Sequence, residues 1–468
     1  MTFHLVRVRS EVHSVHRRHF LGTLAASGVL PRTALSQQAP DVLTAATHRQ
    51  QILPAGYPET TLWSFDAAFP GRPLRARQGD RLALDVVNDL PQPTAVHWHG
   101  LRLDNAMDGV PYLTQAPIQP GETFTYEFDL PDAGTYWYHS HAQSMEQVER
   151  GLYGPLIIDE INPPDVDQDL TLVLDDIRLN QDGTIGEFGN FHDLSHAGRI
   201  GNLWLANGQI DPAYPIKRGE RIRLRLISAA NSRIFTLGLA GLEGWIVALD
   251  GMPLADPQEL PDQITLAPAQ RMDLIVDVTT DDDEAFLITF ERDGGYAIAH
   301  FPVSGAPSPK RAKPDALPAN PDFPIDLQNA RAATLLIEGG AMGGMRAASV
   351  DGEQLGARDL AQRGLFWALN GTAGRPEDPL LDLKLGESVR IGMANDTAFP
   401  HAMHLHGVHF AEVLPDGSLG PLRDTILLNP QETREIAFQA HNPGDWLFHC
   451  HMLAHHQAGM GTWIRVSA

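Results

Sequence analysis

Residues Trp446–Met460 read WLFHCHMLAHHQAGM. They contain the only cysteine of the 468-residue chain, Cys450, set between His449 and His451. On a β-strand, successive side chains point to opposite faces. If this segment is a strand, His449 and His451 share one face and Cys450 looks out of the other. A lone thiol usually behaves as a small buried hydrophobe. The reading therefore turns on what else lies on each face.

Working outward, the same pattern recurs. Gly386-Glu387 leads to Asn395-Asp396, then His404-Leu405-His406-Gly407, then Gly444 through His451. Near the other end, Gly79-Asp80 leads to Asn88-Asp89, then His97-Trp98-His99-Gly100, then Gly134 through His141. Between them, Gly219-Glu220 to Asn231-Ser232 repeats the frame without the histidines. An internal repeat of this kind predicts similar domains in tandem. The expected limits are 40–160, 165–305 and 330–468, with a Pro-rich linker over 306–329.

Short alternating runs separated by Gly, Pro, Asn and Asp fill these segments. Arg81-Leu82-Ala83-Leu84-Asp85-Val86, Arg221-Ile222-Arg223-Leu224-Arg225-Leu226 and Arg434-Glu435-Ile436-Ala437-Phe438 are examples. No stretch shows sustained helical periodicity. The pattern is that of half-buried strands joined by turns, an all-β chain of stacked sandwiches.

A single His-x-His pair reads as a surface pair or as satisfied core histidines. Four pairs in two repeat copies, His97/His99, His139/His141, His404/His406 and His449/His451, read differently. Eight imidazoles exceed what one ion takes, so they predict a multinuclear site between the first and third domains. Cys450, on the opposite face, then belongs to a second site with His401, His455 and Met460. Two imidazoles, a thiolate and a weak thioether make a blue-copper electron-transfer site.

With those residues in place, the chain resembles a three-domain multicopper oxidase of the laccase type. The resemblance spans essentially the whole chain after residue 36 and rests on four motifs. They are His97–Gly100, Trp137–His141, His401–Gly407 and His449–Met460. It implies three consecutive cupredoxin-like Greek-key β-barrels and four Cu ions per chain. A type 1 copper would sit on His401, Cys450, His455 and Met460, and a type 2 copper on His97 and His404. One type 3 copper would sit on His99, His139 and His451, the other on His141, His406 and His449. The implied reaction is one-electron oxidation of a small phenolic or aromatic donor coupled to reduction of O2 to water. Oxidation of Cu(I), as in copper detoxification, is the alternative. Asp108, in Met107-Asp108-Gly109, matches an acid that relays protons to the cluster. His456 stands where many relatives have a second acid. Asp424 is expected either to touch substrate or to hydrogen-bond at a strand start. His192, His196, His300, His409 and His441 are read as surface or hydrogen-bonding residues. Met342-Gly343-Gly344-Met345 is the only suggestion of a methionine-rich segment.

Acids outnumber bases 58 to 35, a formal charge of −23, which argues against a nucleic-acid or anionic-membrane partner. One cysteine excludes an intrachain disulfide. Arg17-Arg18-His19-Phe20-Leu21, the apolar run that follows and Ala34-Leu35-Ser36 read as a twin-arginine export signal over residues 1–36. The expectation is a periplasmic or secreted monomer with no membrane span. A two-domain copper nitrite reductase and a metal-free scaffold of the same fold are disfavoured by the domain count and by the complete ligand set.

Overall fold

The computed structural model describes residues 41–306, 309 and 311–468; the export-signal reading lies outside them. Its strands assort into three successive pairs of sheets, over residues 41–159, 168–304 and 331–467, with a small two-stranded sheet, Ala347–Val350 and Glu353–Gly356, added in the third. In the first, Asp41–Gln50 runs antiparallel to Thr60–Phe65 and parallel to Arg81–Asn88. The second sheet orders Leu74–Arg77, Tyr153–Asp159, Gly134–Ser140 and Val96–His99. The third pair repeats this plan, with Ser388–Asn395 in one sheet and His401–Leu405 beside Gly444–Cys450 in the other.

The repeated residues have a structural cause. Gly79, Gly219 and Gly386 all adopt positive φ, at 88°, 78° and 85°, a region open to glycine at little cost. Each donates its N–H to the end of the neighbouring strand in its own sheet, at the carbonyls of Leu130, Val278 and Ala440 respectively. Asn88 and Asn395 are buried. The Asn88 amide donates to the carbonyls of Gln92 and Ile118, and that of Asn395 to those of Phe399 and Asn429. Each asparagine thereby pins the loop that delivers the next histidine strand. In the middle domain Asn231 instead donates to Met145 and Glu149, and no histidine strand follows.

One expectation fails. Arg221–Ser228 alternates in sequence like a strand with one wet face, yet all eight residues are buried. Arg223 bonds Glu160 and Asp273, and Arg225 bonds Asp169 and Thr135. The polar face packs on the first domain, so its charges are neutralised by ion pairs instead of water. The Pro-rich linker is likewise docked. Asn320 exchanges hydrogen bonds with the backbone of Ala133, and Arg102 and Arg221 donate to the carbonyls of Pro321 and Ala312.

Candidate metal centre

The strand register does what the alternation requires. His97 lies directly opposite His139. His404 lies opposite His449, and Met403 opposite Cys450. Cross-strand partners share a face, so the histidines line one side and Cys450 the other. Glycines beside the histidine strands leave no room for a side chain without a shift. A Cβ on Gly109 (φ +83°) would fall 1.9 Å from the Val96 carbonyl oxygen, and one on Gly407 (φ +73°) would fall 2.2 Å from the Trp446 ring.

All eight paired histidines are buried. Most have one ring nitrogen tied to a fixed acceptor. Nδ1 of His97, His139, His404 and His449 donates to the backbone carbonyls of Asp108, Ser140, Asp424 and Cys450, at 2.8, 2.9, 2.9 and 3.0 Å. Nδ1 of His406 donates to Asp108 Oδ2 at 2.9 Å. A neutral imidazole that donates from one nitrogen presents a lone pair on the other. Nε2 of His97, His141 and His404, and Nδ1 of His99 and His451, are buried without a partner. The His406 and His449 Nε2 atoms face each other at 3.2 Å, and those of His139 and His451 at 3.4 Å. Unpartnered buried nitrogens are costly unless something receives them, and convergent lone pairs suit a cation.

Burial and neighbouring rings hold His99, His139, His141, His406, His449 and His451 well below the ordinary imidazole pKa. They are neutral, the form that ligates metal. The donor atoms of His141/His406/His449, of His97/His404/His406 and of His97/His99/His139 each lie within 4.8 Å of one another. The His451 ring lies 4.9 Å from that of His99 and 5.1 Å from that of His139.

On the other face, His401 Nδ1, Cys450 Sγ and His455 Nδ1 form a second group. The sulfur is 3.7 Å from His401 and 3.8 Å from His455, whose nitrogens are 3.1 Å apart. Met460 is buried in the same core, its N–H bonded to the His455 carbonyl. Burial pushes the Cys450 thiol up to about 12, so without a cation to favour the thiolate this site would hold a neutral thiol. Both donor sets fit copper: soft thiolate with imidazole on one side, imidazole alone on the other.

Two acids join the halves. Asp108, at 1% exposure, reaches His97 Nδ1 with Oδ1 at 3.2 Å and His406 with Oδ2. Asp424, equally buried, accepts from His99 Nε2 at 3.3 Å and from both Arg271 terminal nitrogens at 2.8 and 2.5 Å. Its buried position fits the strand-start hydrogen-bonding role, since Thr425–Leu428 follows it, and its side chain touches the cluster histidines. Arg271 escaped the sequence reading; nothing local marks it, because its partner is 153 residues away. Arg271 lowers the Asp424 carboxyl well below its usual range against the opposing effect of burial. The His456 ring packs 4.3 Å from that of His449 and 5.6 Å from that of His141. Of the secondary histidines, His409 is buried with neither ring nitrogen bonded. His300 pairs with Asp211, and His441 stacks on Phe323.

This fold and these two donor sets define a copper oxidase, and comparison with known proteins agrees. Three family descriptions, each reading "Multicopper oxidase", match residues 46–163, 169–304 and 350–468. The chain is 31% identical over 452 residues to the multicopper oxidase MmcO of Mycobacterium tuberculosis, covering 90% of this chain and 86% of that one. It is 26% identical to a copper resistance protein A homolog of Pseudomonas syringae pv. tomato, covering 96% and 99%. It is 27% identical to a laccase of Phlebia radiata, covering 85% and 84%. Among solved structures, Lac15 from a marine microbial metagenome is 43% identical, with a TM-score of 0.75 over 92% of this chain and 100% of that one. The chain belongs to the multicopper oxidase family. It is a laccase-like oxidoreductase of three cupredoxin domains that uses copper, a reducing donor and O2. Among the described residues, no helix is long and apolar enough to cross a membrane.

Proposed function

We propose that this enzyme oxidises small phenols one electron at a time and reduces O2 to water, with four copper ions per chain. His401, Cys450, His455 and Met460 would hold the type 1 ion. His97 and His404 would hold the type 2 ion. The type 3 pair would rest on His99/His139/His451 and His141/His406/His449. Bound there, copper supplies one-electron acceptance from the donor and four-electron reduction of O2. The observation that carries the reading is the opposed facing of Cys450 and its two histidine neighbours. Each set of donor atoms converges on its own side of one strand.

The protein's own residues do the rest. The tripeptide His449-Cys450-His451 is the covalent link between the two sites. The link from Cys450 to either imidazole runs through the Cys450 side chain and one peptide unit. Burial excludes water from both donor sets, which strengthens every charge interaction there. Asp108 holds His97 and His406 in the tautomer that faces inward, and its carboxyl would relay protons toward the cluster. Asp424 does the same positioning for His99 and His404. His456, packed on His449 and His141, takes the place of a second acid, so the proton supply on that side differs from that of relatives with a carboxylate.

The Pseudomonas syringae relative is named for copper resistance, which favours Cu(I) oxidation as the second reading. Export through the twin-arginine pattern at Arg17-Arg18 would put either activity outside the cytoplasm. The test is the visible and EPR spectrum of the copper-loaded protein together with O2 uptake on a phenol and on Cu(I). A strong thiolate-to-copper band with phenol-driven uptake supports the laccase-like role. Uptake on Cu(I) alone supports detoxification. Absence of the band after full loading refutes the assignment of Cys450.

A further inference from the structure

We propose that the electron donor docks on the outer side of the short helix Phe191–Ser195, and that its electron enters through the peptide carbonyl of His196. The proposal rests on the function given above.

His401, Cys450, His455 and Met460 are all 0% exposed, so no donor can touch a type 1 ligand. His455 directs Nδ1 at Cys450 and His401. Its other nitrogen, Nε2, donates to the His196 carbonyl at 2.8 Å. Trp367 lies 4.4 Å from the His455 ring and donates its own N–H to the Leu194 carbonyl at 2.7 Å. Gly198 passes so close that a Cβ would meet Ser232 Oγ at 2.2 Å and His455 Nε2 at 3.7 Å. Segment 194–198 therefore seals the outward edge of His455, and the His196 peptide is a direct hydrogen-bonded link from that ring toward the surface.

The seal is held rigidly. Asn190 caps the helix by accepting from Asp193 N–H at 2.9 Å. Asp193 is buried and accepts from both Arg178 terminal nitrogens at 2.8 and 2.9 Å. Ala341 N–H donates to the Ser195 carbonyl at 2.8 Å.

Its outer side is aromatic. Phe191 is 59% exposed, His192 is exposed and His196 partly so. His192 and His196 stack at 4.2 Å and 13°. Phe191 meets Phe366 edge-on at 5.1 Å and His196 at 6.1 Å, and Phe399 lies 5.7 Å from His196. The helix's one carboxylate, Asp193, is turned inward to Arg178 and Arg199. A surface of rings with its acid withdrawn suits a neutral aromatic ring, which stacks or packs edge-on, better than it suits a cation. A phenol seated there loses one electron and its hydroxyl proton, the proton going to solvent water, and leaves as a phenoxyl radical. The electron crosses the His196 peptide and the O···H–N bond to His455, and O2 is the final acceptor.

The test uses the full copper-loaded enzyme. The binding probe is 1,2,3-trimethoxybenzene, which lacks the phenolic hydrogen. Its proton NMR lines should broaden in the presence of the oxidised enzyme and sharpen again in Phe191→Ala. With 2,6-dimethoxyphenol, Phe191→Ala and His196→Ala should each raise KM about three- to tenfold, the worth of one aromatic contact. Their kcat and visible band should be retained. Tyr112→Ala, which removes another exposed ring (79%), should change none of these. Unchanged KM and line width in both variants would overturn the proposal, as would loss of the visible band in step with KM, which would mark a merely structural role. If no phenol drives O2 uptake while Cu(I) does, the proposed function fails. The docking surface then stands or falls on the NMR result.

Discussion

Asp424→Asn isolates the device that joins the middle domain to the cluster. The wild-type carboxylate is fully enclosed, accepts two charge-assisted bonds from Arg271 and is bonded by Thr425 Oγ1 and His99 Nε2. Arg271 is itself 0% exposed. Its remaining bonds go to neutral carbonyls of Thr135, Ala269 and Asp250. The nearest other acid, the Asp250 carboxylate, is 3.9 Å away and shared with Arg423. Asparagine keeps the shape and removes the charge, leaving a buried guanidinium only partly compensated. Breaking one side of a buried pair costs about 3–5 kcal/mol. Because Asp250 remains, the expected loss is near the lower end, about 3 kcal/mol. Loss of a group that orients a ligand lowers metal affinity about 10- to 100-fold, so the type 2 EPR signal should disappear at limiting copper while the thiolate band persists. The double variant Arg271→Met/Asp424→Leu removes both charges. It should recover most of the stability, as buried pairs replaced by apolar groups often do, without recovering the type 2 signal. Calorimetry and quantitative EPR on the three proteins give both readouts. An Asp424→Asn protein as stable and as copper-replete as wild type would refute the reasoning.

Cys450→Ser should abolish the visible charge-transfer band and donor oxidation while leaving copper bound to the eight-histidine set, as metal analysis and EPR would reveal. The copper-free protein should lose stability as pH falls. Its buried histidines have folded-state pKa values below 6.5, about 4 for His455 and His456 and about 3 for His409. The unfolded chain therefore binds more protons below about pH 6.5. Stability is fully present above that value and should decline through pH 4 in thermal melts; a flat profile would contradict it. Gly407→Ala puts a Cβ 2.2 Å from Trp446 at φ +73°. It should cost about 1–3 kcal/mol through overpacking and strain, with lower copper occupancy, read by melts and metal analysis. Trp367→Phe deletes the bond to Leu194 at about 1 kcal/mol; faster amide exchange in residues 191–198 would show the seal loosened.

Much of the site was legible because its geometry is local. A period of two puts His449 and His451 on one face and Cys450 on the other, whatever surrounds the strand. The spacing of His401, His455 and Met460 around Cys450 then defines a donor set by chemistry alone. The repeated Gly and Asn positions were legible for a similar reason: a positive φ and a pinned loop are requirements of a few neighbouring residues. The sequence by itself thus determined the all-β class and the opposed facing of Cys450 and its two histidine neighbours, and it supplied the two donor sets as a proposal. Only the tertiary structure decided which charges are buried. The Arg223 and Arg225 side chains alternate like a wet strand face, but another domain covers them. Arg271 finds Asp424, and His196 closes over His455, across 153 and 259 residues. No periodicity encodes such pairings, because they depend on how separately folded sandwiches press together. There, desolvation favours pairing, and Arg271 and His455 find their partners in Asp424 and the His196 carbonyl.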